Sequence, residues 1–144
     1  MIKHEAKITT RLRRYIEESG IHIGSAAIEV KVSLTKSLPF NAVQPHQLQA
    51  LENARSTFVW KIADDSRGVK PFDMFVLQNA AAFVAVAWLA PRKKVIVYLI
   101  PVRDWKSLSE ASGRKSLTED VLLKSGKRYL TCVLPTKPPL QAPS

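Results

Sequence analysis

Ser25-Ala26-Ala27-Ile28-Glu29-Val30-Lys31-Val32-Ser33 alternates in polarity: Ile28, Val30 and Val32 fall on one side, Ala27, Glu29, Lys31 and Ser33 on the other. A period of two is that of a β-strand. Glu29 and Lys31, two positions apart, therefore project from the same face. Held side by side, a carboxylate and an ammonium suit a solvated ion pair. Such a pair is most often just that, and it is also half of a metal-dependent phosphodiesterase site. There the carboxylate holds a divalent cation, and the lysine steadies the attacking water or the phosphate.

Upstream of this strand, residues 3–19 have the spacing of an amphipathic helix. Ile8, Leu12, Tyr15 and Ile16 form its apolar stripe, Arg11, Arg13 and Arg14 cluster toward the outside, and Gly20 ends it. Glu5 falls within the arc of Leu12 and Ile16, so it points inward or toward a cleft. A first-turn glutamate is also what the helix dipole favours. Ile21–Ile23 begins an extended run into the strand.

Downstream, residues 34–43 read as a loop whose Lys36 and hydroxyls contact phosphates or simply cross over. Pro45 opens a helix over 45–55, with Leu48, Leu51 and Ala54 inward and His46 on the surface. Gln47 projects between Leu51 and Ala54. An inward glutamine needs a hydrogen-bonding partner: a carboxylate, a water, a phosphate or a backbone carbonyl. Strands are expected at Thr57–Ile62, then at Phe72–Leu77 and Ala81–Trp88 across the turn Gln78-Asn79, and at Val95–Ile100 after the basic turn Pro91-Arg92-Lys93-Lys94. A polar turn spans Asp64–Gly68. Pro101–Leu108 starts a helix anchored by Trp105, and Gly113-Arg114-Lys115-Ser116 is a basic loop. Ser116 to Glu119 matches a capping box before a short helix that ends near Gly126. Arg128–Leu134 is the last strand. The pattern describes an α/β (α+β) domain over 1–134 with one central mixed sheet flanked by helices. The apolar run Ala80–Ala90 suits a central strand covered on both faces. The tail 135–144, with four prolines, is expected to be disordered.

Charge narrows the function classes. The 144 residues carry 22 Lys and Arg against 12 Asp and Glu, a net +10. A small domain so basic suggests a polyanionic partner, most often nucleic acid. No apolar run reaches the ~20 residues of a membrane span, and the N-terminus lacks a signal-peptide core. The single cysteine, Cys132, excludes an internal disulfide and reads as a core residue. The three histidines lack metal-ligand spacing. These features point to an intracellular, cytoplasmic protein.

Four segments in order resemble one family: Ile28-Glu29-Val30-Lys31, Ser37-Leu38-Pro39-Phe40, Pro45-His46-Gln47-Leu48 and Gly113-Arg114-Lys115-Ser116-Leu117-Thr118. Together they are similar to the RecU-type Holliday junction resolvases of the PD-(D/E)xK, restriction-endonuclease-like superfamily. The segment from Lys61 to Asp73 resembles a phage-like branch of it. The resemblance covers roughly residues 5–133. It implies a restriction-endonuclease-like fold and a Mg²⁺- or Mn²⁺-dependent endonuclease acting on branched DNA, usually as a homodimer.

By position, Glu29 is similar to the family's metal-ligating carboxylate and Lys31 to its catalytic lysine. Glu5 is similar to its first-helix glutamate, and Gln47 to the glutamine supporting a ligand or the nucleophilic water. The family's aspartate about a dozen residues before the E-x-K glutamate has no counterpart between Ile16 and Gly24. Asp73 supplies the missing carboxylate if its strand lies beside that of Glu29; otherwise it is a turn or strand-edge residue. Arg11, Arg13, Arg14, Lys36, Arg92, Lys93, Lys94, Arg114 and Lys115 are the expected DNA-backbone contacts. The missing aspartate leaves a second expectation open, a DNA-binding recombination accessory on the same fold that does not cut.

Overall fold

Strand β1 (Ala26–Ser33) pairs in parallel with β5 (Ala81–Trp88), placing Glu29 beside Val84 and Lys31 beside Val86. A parallel pair requires a crossover. Here the connection carries β2 (Ser37–Pro39), a 3-10 turn at Phe40–Ala42, helix α2 (Pro45–Ala54) and the hairpin β3 (Thr57–Lys61) and β4 (Met74–Gln78). From β5 the chain turns back into β6 (Val95–Pro101), antiparallel to it, and β8 (Leu130–Leu134) completes a mixed sheet of order β1-β5-β6-β8. This computed structural model describes residues 2–19, 25–61 and 72–135, with Ile2 and Trp60 described by backbone alone. The expectations for Ile21–Ile23, the Asp64–Gly68 turn and the tail beyond Pro135 lie outside the described residues.

The alternation in β1 sorts the molecule into layers. Ile28, Val30 and Val32 face helix α1 (Ile2–Ser19), whose Ile8 and Leu12 pack with Ala85, Val97, Leu99, Cys132 and Leu134. The opposite face carries α2, α3 (Val102–Ser112), the ribbon of β2 with β7 (Ser116–Thr118), and α4 (Glu119–Leu123). Its core joins Val84, Val86, Tyr98 and Ile100 to Leu38, Phe40, Leu51, Trp105 and Leu117. Trp105 is the buried anchor of α3, with Phe40 edge-on at 5.2 Å between ring centroids. Strand β5 lies inside the sheet and has both faces buried, as the Ala80–Ala90 run implies. The result is one α+β domain with a mixed central sheet flanked by helices. Among the described residues no helix is long and apolar enough to cross a membrane.

Two local expectations are corrected. The 34–43 loop contains β2 and the 3-10 turn, because Leu38 and Phe40 are buried hooks rather than loop residues. The capping box does not form at Ser116, which belongs to β7. Thr118 caps α4, its hydroxyl accepting from the Val121 N–H at 3.2 Å. The two strands expected on either side of Gln78-Asn79 form, and they take different partners: β4 pairs with β3, and β5 pairs with β1 and β6.

Candidate functional site

On the face of β1 turned toward α2, Glu29 and Lys31 stand as neighbours with Lys31 Nζ 3.4 Å from Glu29 Oε1. The lysine is the deeper of the two. Its side chain is 11% exposed against 31% for the glutamate. Helix α2 brings the third member. Pro45 at its start removes an N–H that has no acceptor in a first turn, and Gln47 lies one turn in. The Gln47 Oε1 accepts the backbone N–H of Gln44 at 3.0 Å, and its Nε2 donates to Glu29 Oε1 at 2.9 Å. That first bond fixes which end of the amide faces the strand. Of the partners the sequence left open for Gln47, the structure selects the carboxylate.

Glu29 Oε1 is thus shared by Gln47 and Lys31, while Oε2 accepts no hydrogen bond from the described residues. Glu29 is oriented by an amide and an ammonium at one oxygen and keeps the other free of the described residues. Mg²⁺ commonly uses one or two carboxylates and completes its shell with water and substrate phosphate. Of this group, Glu29 is the residue that would hold such a metal.

The other two proposed metal ligands do not join this group. Glu5 is half-buried on α1, whose packing face lies on the far side of the sheet, and no hydrogen bond or ion pair links it to Glu29. Asp73 precedes β4, whose strand partner is β3, so the condition of a strand beside β1 is not met. It is exposed and engaged by an interaction of its own. Among the described residues no group of three or more His, Cys, Asp and Glu side chains is placed to hold a metal ion.

The expected DNA contacts divide by layer. Arg11, Arg13 and Arg14 lie on α1, across the sheet from Glu29. Arg11 donates to the Pro135 carbonyl at 2.6 Å, and Arg13 sits 3.8 Å from Glu17. Lys36, Arg92, Lys93 and Lys94 gather where β1 and β5 end together. Ser33 pairs with Trp88 there, and the Leu89 N–H donates to the Ser33 carbonyl at 2.8 Å. Arg114 and Lys115 sit at the other end of the β2–β7 ribbon, where the Phe40 N–H donates to the Lys115 carbonyl at 2.9 Å. All six of these cations are exposed and form no ion pair with the described residues.

Sequence reasoning missed how Lys36 is presented. The buried Ser33 hydroxyl donates to the Ser37 carbonyl at 2.7 Å and accepts the Thr35 N–H at 3.1 Å, closing a tight loop with Lys36 at its tip. The signal available was the hydroxyl spacing Ser33, Thr35, Ser37. Also missed was the Tyr98 hydroxyl, which donates to Glu119 Oε2 at 2.7 Å and ties β6 to α4. Burial, then the Glu119 bond and charge, push this phenol well above its usual range. A groove of about 400 Å³ between α3 and α4 is lined by residues that include Leu108, Val121, Lys124 and Tyr129, and by none of Glu29, Lys31 and Gln47.

No family model matches this chain, and neither does any curated protein or solved structure.

Proposed function

We propose that the chain is a divalent-metal-dependent, structure-selective DNA endonuclease of restriction-endonuclease-like fold that hydrolyses phosphodiesters at Holliday or other branched DNA junctions, working in the cytoplasm as a homodimer. The observation that carries this reading is the bond from Gln47 to Glu29. It turns a two-residue E-x-K match into a three-residue constellation drawn from two elements.

In this reading Glu29 would hold Mg²⁺ or Mn²⁺, which when bound would lower the pKa of a water and neutralise charge on the scissile phosphate. Lys31, fixed beside Glu29, donates to the attacking water or to a non-bridging phosphate oxygen. Gln47 holds the carboxylate in one orientation, a supporting role whose loss in metal sites typically costs ~10–100-fold. Lys36, Arg92, Lys93, Lys94, Arg114 and Lys115 bind the backbone on either side without reading sequence. Junction selectivity then comes from DNA shape and the spacing of two sites in the dimer.

A second reading, a DNA-binding recombination accessory that does not cut, draws on a different observation: no cluster of three or more metal-ligating side chains occurs among the described residues. The two separate on a synthetic four-way junction and a linear duplex of the same sequence, each incubated with Mg²⁺ and with Mn²⁺. The nuclease reading expects cutting of the junction in preference to the duplex. Tight binding to the junction with no cutting in either metal overturns it in favour of the accessory.

A further inference from the structure

The groove of about 400 Å³ between α3 and α4 plays no part in the Glu29 group. Two contacts hold its walls. Lys127 Nζ lies 3.2 Å from Asp104 Oδ1 and ties the connection between α4 and β8 to the start of α3. The Ser125 hydroxyl donates to the Leu122 carbonyl at 2.8 Å, and Gly126 then turns the chain at a φ of 81°, which glycine adopts without strain. The volume is that of pockets which bury a small organic molecule, and such pockets are usually formed before the ligand arrives. The lining is chiefly apolar, with Leu108, Ala111, Val121 and Tyr129 along it. Most of its polar groups are already engaged. The hydroxyls of Ser107, Ser112 and Ser125 donate to backbone carbonyls of their own turns, and Asp104 is taken by Lys127. Two donors are left over. Lys124 is exposed and forms no ion pair with the described residues. The Tyr129 hydroxyl is sealed from solvent and has no hydrogen-bond partner among the described residues, a rare state for a buried polar group.

We infer that this groove binds a small amphipathic carboxylate, with an acyl chain or a single ring in the apolar lining and the carboxylate paired with the Lys124 ammonium. The same carboxylate is the acceptor that the Tyr129 hydroxyl lacks. A shift of the Tyr129 side chain brings the two together, and the Tyr129 signals report it. Charge and donor inventory select this class. An amine of the same size meets an unpaired lysine and an aspartate already neutralised. A nucleobase needs both donors and acceptors for its polar edge, and the lining offers few that are unengaged. A nucleic-acid backbone needs clustered cations, which lie at the β1–β5 end and the β2–β7 ribbon instead. One unpaired ammonium at an apolar groove matches one carboxylate on an apolar body. The inference is separate from the nuclease reading and is tested without DNA or metal.

The test is an amide-resolved NMR titration of the full chain with sodium octanoate, beside octylamine, which has the same chain length and the opposite charge. Octanoate should bind saturably with a dissociation constant of about 0.1–1 mM, within reach of a ligand of ~10 non-hydrogen atoms. Its shifts should centre on Leu108, Val121, Lys124 and Tyr129. Octylamine should bind about 10-fold more weakly or not at all. Lys124→Glu, a change at an exposed position, should weaken octanoate about 5–10-fold, and Tyr129→Phe should do the same. The amide spectrum of each variant shows directly that it is folded. No saturable shifts up to about 10 mM octanoate would overturn the inference. Equal binding of octylamine, or wild-type affinity in folded Lys124→Glu or Tyr129→Phe, would do so as well. Shifts centred on the exposed apolar residues of the β3–β4 hairpin would place the binding elsewhere and overturn it too.

Discussion

At the scale of single residues, the Glu29–Lys31 pair is asymmetric in burial, and the asymmetry sets the order of mutational costs. Lys31 is nearly sealed while Glu29 keeps about a third of its side chain in water. Removing the glutamate's charge leaves a buried ammonium unpaired, whereas removing the lysine leaves a carboxylate that Gln47 still serves. Glu29→Gln is therefore expected to destabilise the fold by about 1–3 kcal/mol, and Lys31→Met by less. Urea unfolding at neutral pH compares them, and the reverse order would contradict this account of the pair. The same reasoning applies at Tyr98. Its folded-state pKa lies above the unfolded value of ~10, so the stabilisation is complete below pH 10 and is lost as pH rises through the folded value. Unfolding free energy should fall with pH above 10. Tyr98→Phe, which has no proton to lose, should flatten that fall. An unchanged slope in Tyr98→Phe would remove Tyr98 as the cause.

At the scale of elements, α4 is only five residues long, and its start rests on the Thr118 hydroxyl. Thr118→Ala should cost about 1 kcal/mol in a denaturant melt, the usual value of a lost N-cap; Ser116→Ala, at the expected but unused capping position, should cost less. This pair also marks where the sequence stopped short. Long periodic elements were readable from it. The apolar stripe of α1, the alternation of β1, the unbroken run of β5 and Pro45 at the start of α2 each express one face or one terminus. Short elements were not, because β2, the 3-10 turn and β7 exist through tertiary pairing of Leu38 and Leu117 into the core. Strand partnership was hidden for a related reason. A turn at Gln78-Asn79 predicts a reversal, not which neighbour each strand takes. That is why Asp73 looked available to Glu29 when its strand pairs with β3. The link between Gln47 and Glu29 was half visible: an inward glutamine announced a partner, and only the crossover identified it.

At the scale of the whole molecule, Arg11, Arg13 and Arg14 lie on α1 across the sheet from Glu29, whereas Lys36, Arg92, Lys93 and Lys94 lie where β1 and β5 end together. Replacing Lys36, Arg92, Lys93 and Lys94 together by glutamine should lower the salt dependence of junction binding by about 3 units of log K against log salt. Replacing Arg11, Arg13 and Arg14 should change it much less. Equal effects from the two sets would contradict a DNA path on the α2 side. The claim on which the account stands is that Glu29, Lys31 and Gln47 act as one hydrolytic group. The most direct measurement is single-turnover cleavage of a four-way junction by wild type, Glu29→Gln, Lys31→Ala and Gln47→Ala, with junction affinity read in parallel. The account predicts Mg²⁺- or Mn²⁺-dependent cutting by wild type, a loss of about 100-fold or more in Glu29→Gln and Lys31→Ala, and about 10–100-fold in Gln47→Ala, with affinity retained. Cutting at wild-type rate in Glu29→Gln, or no cutting by a wild type that binds the junction tightly, would contradict it.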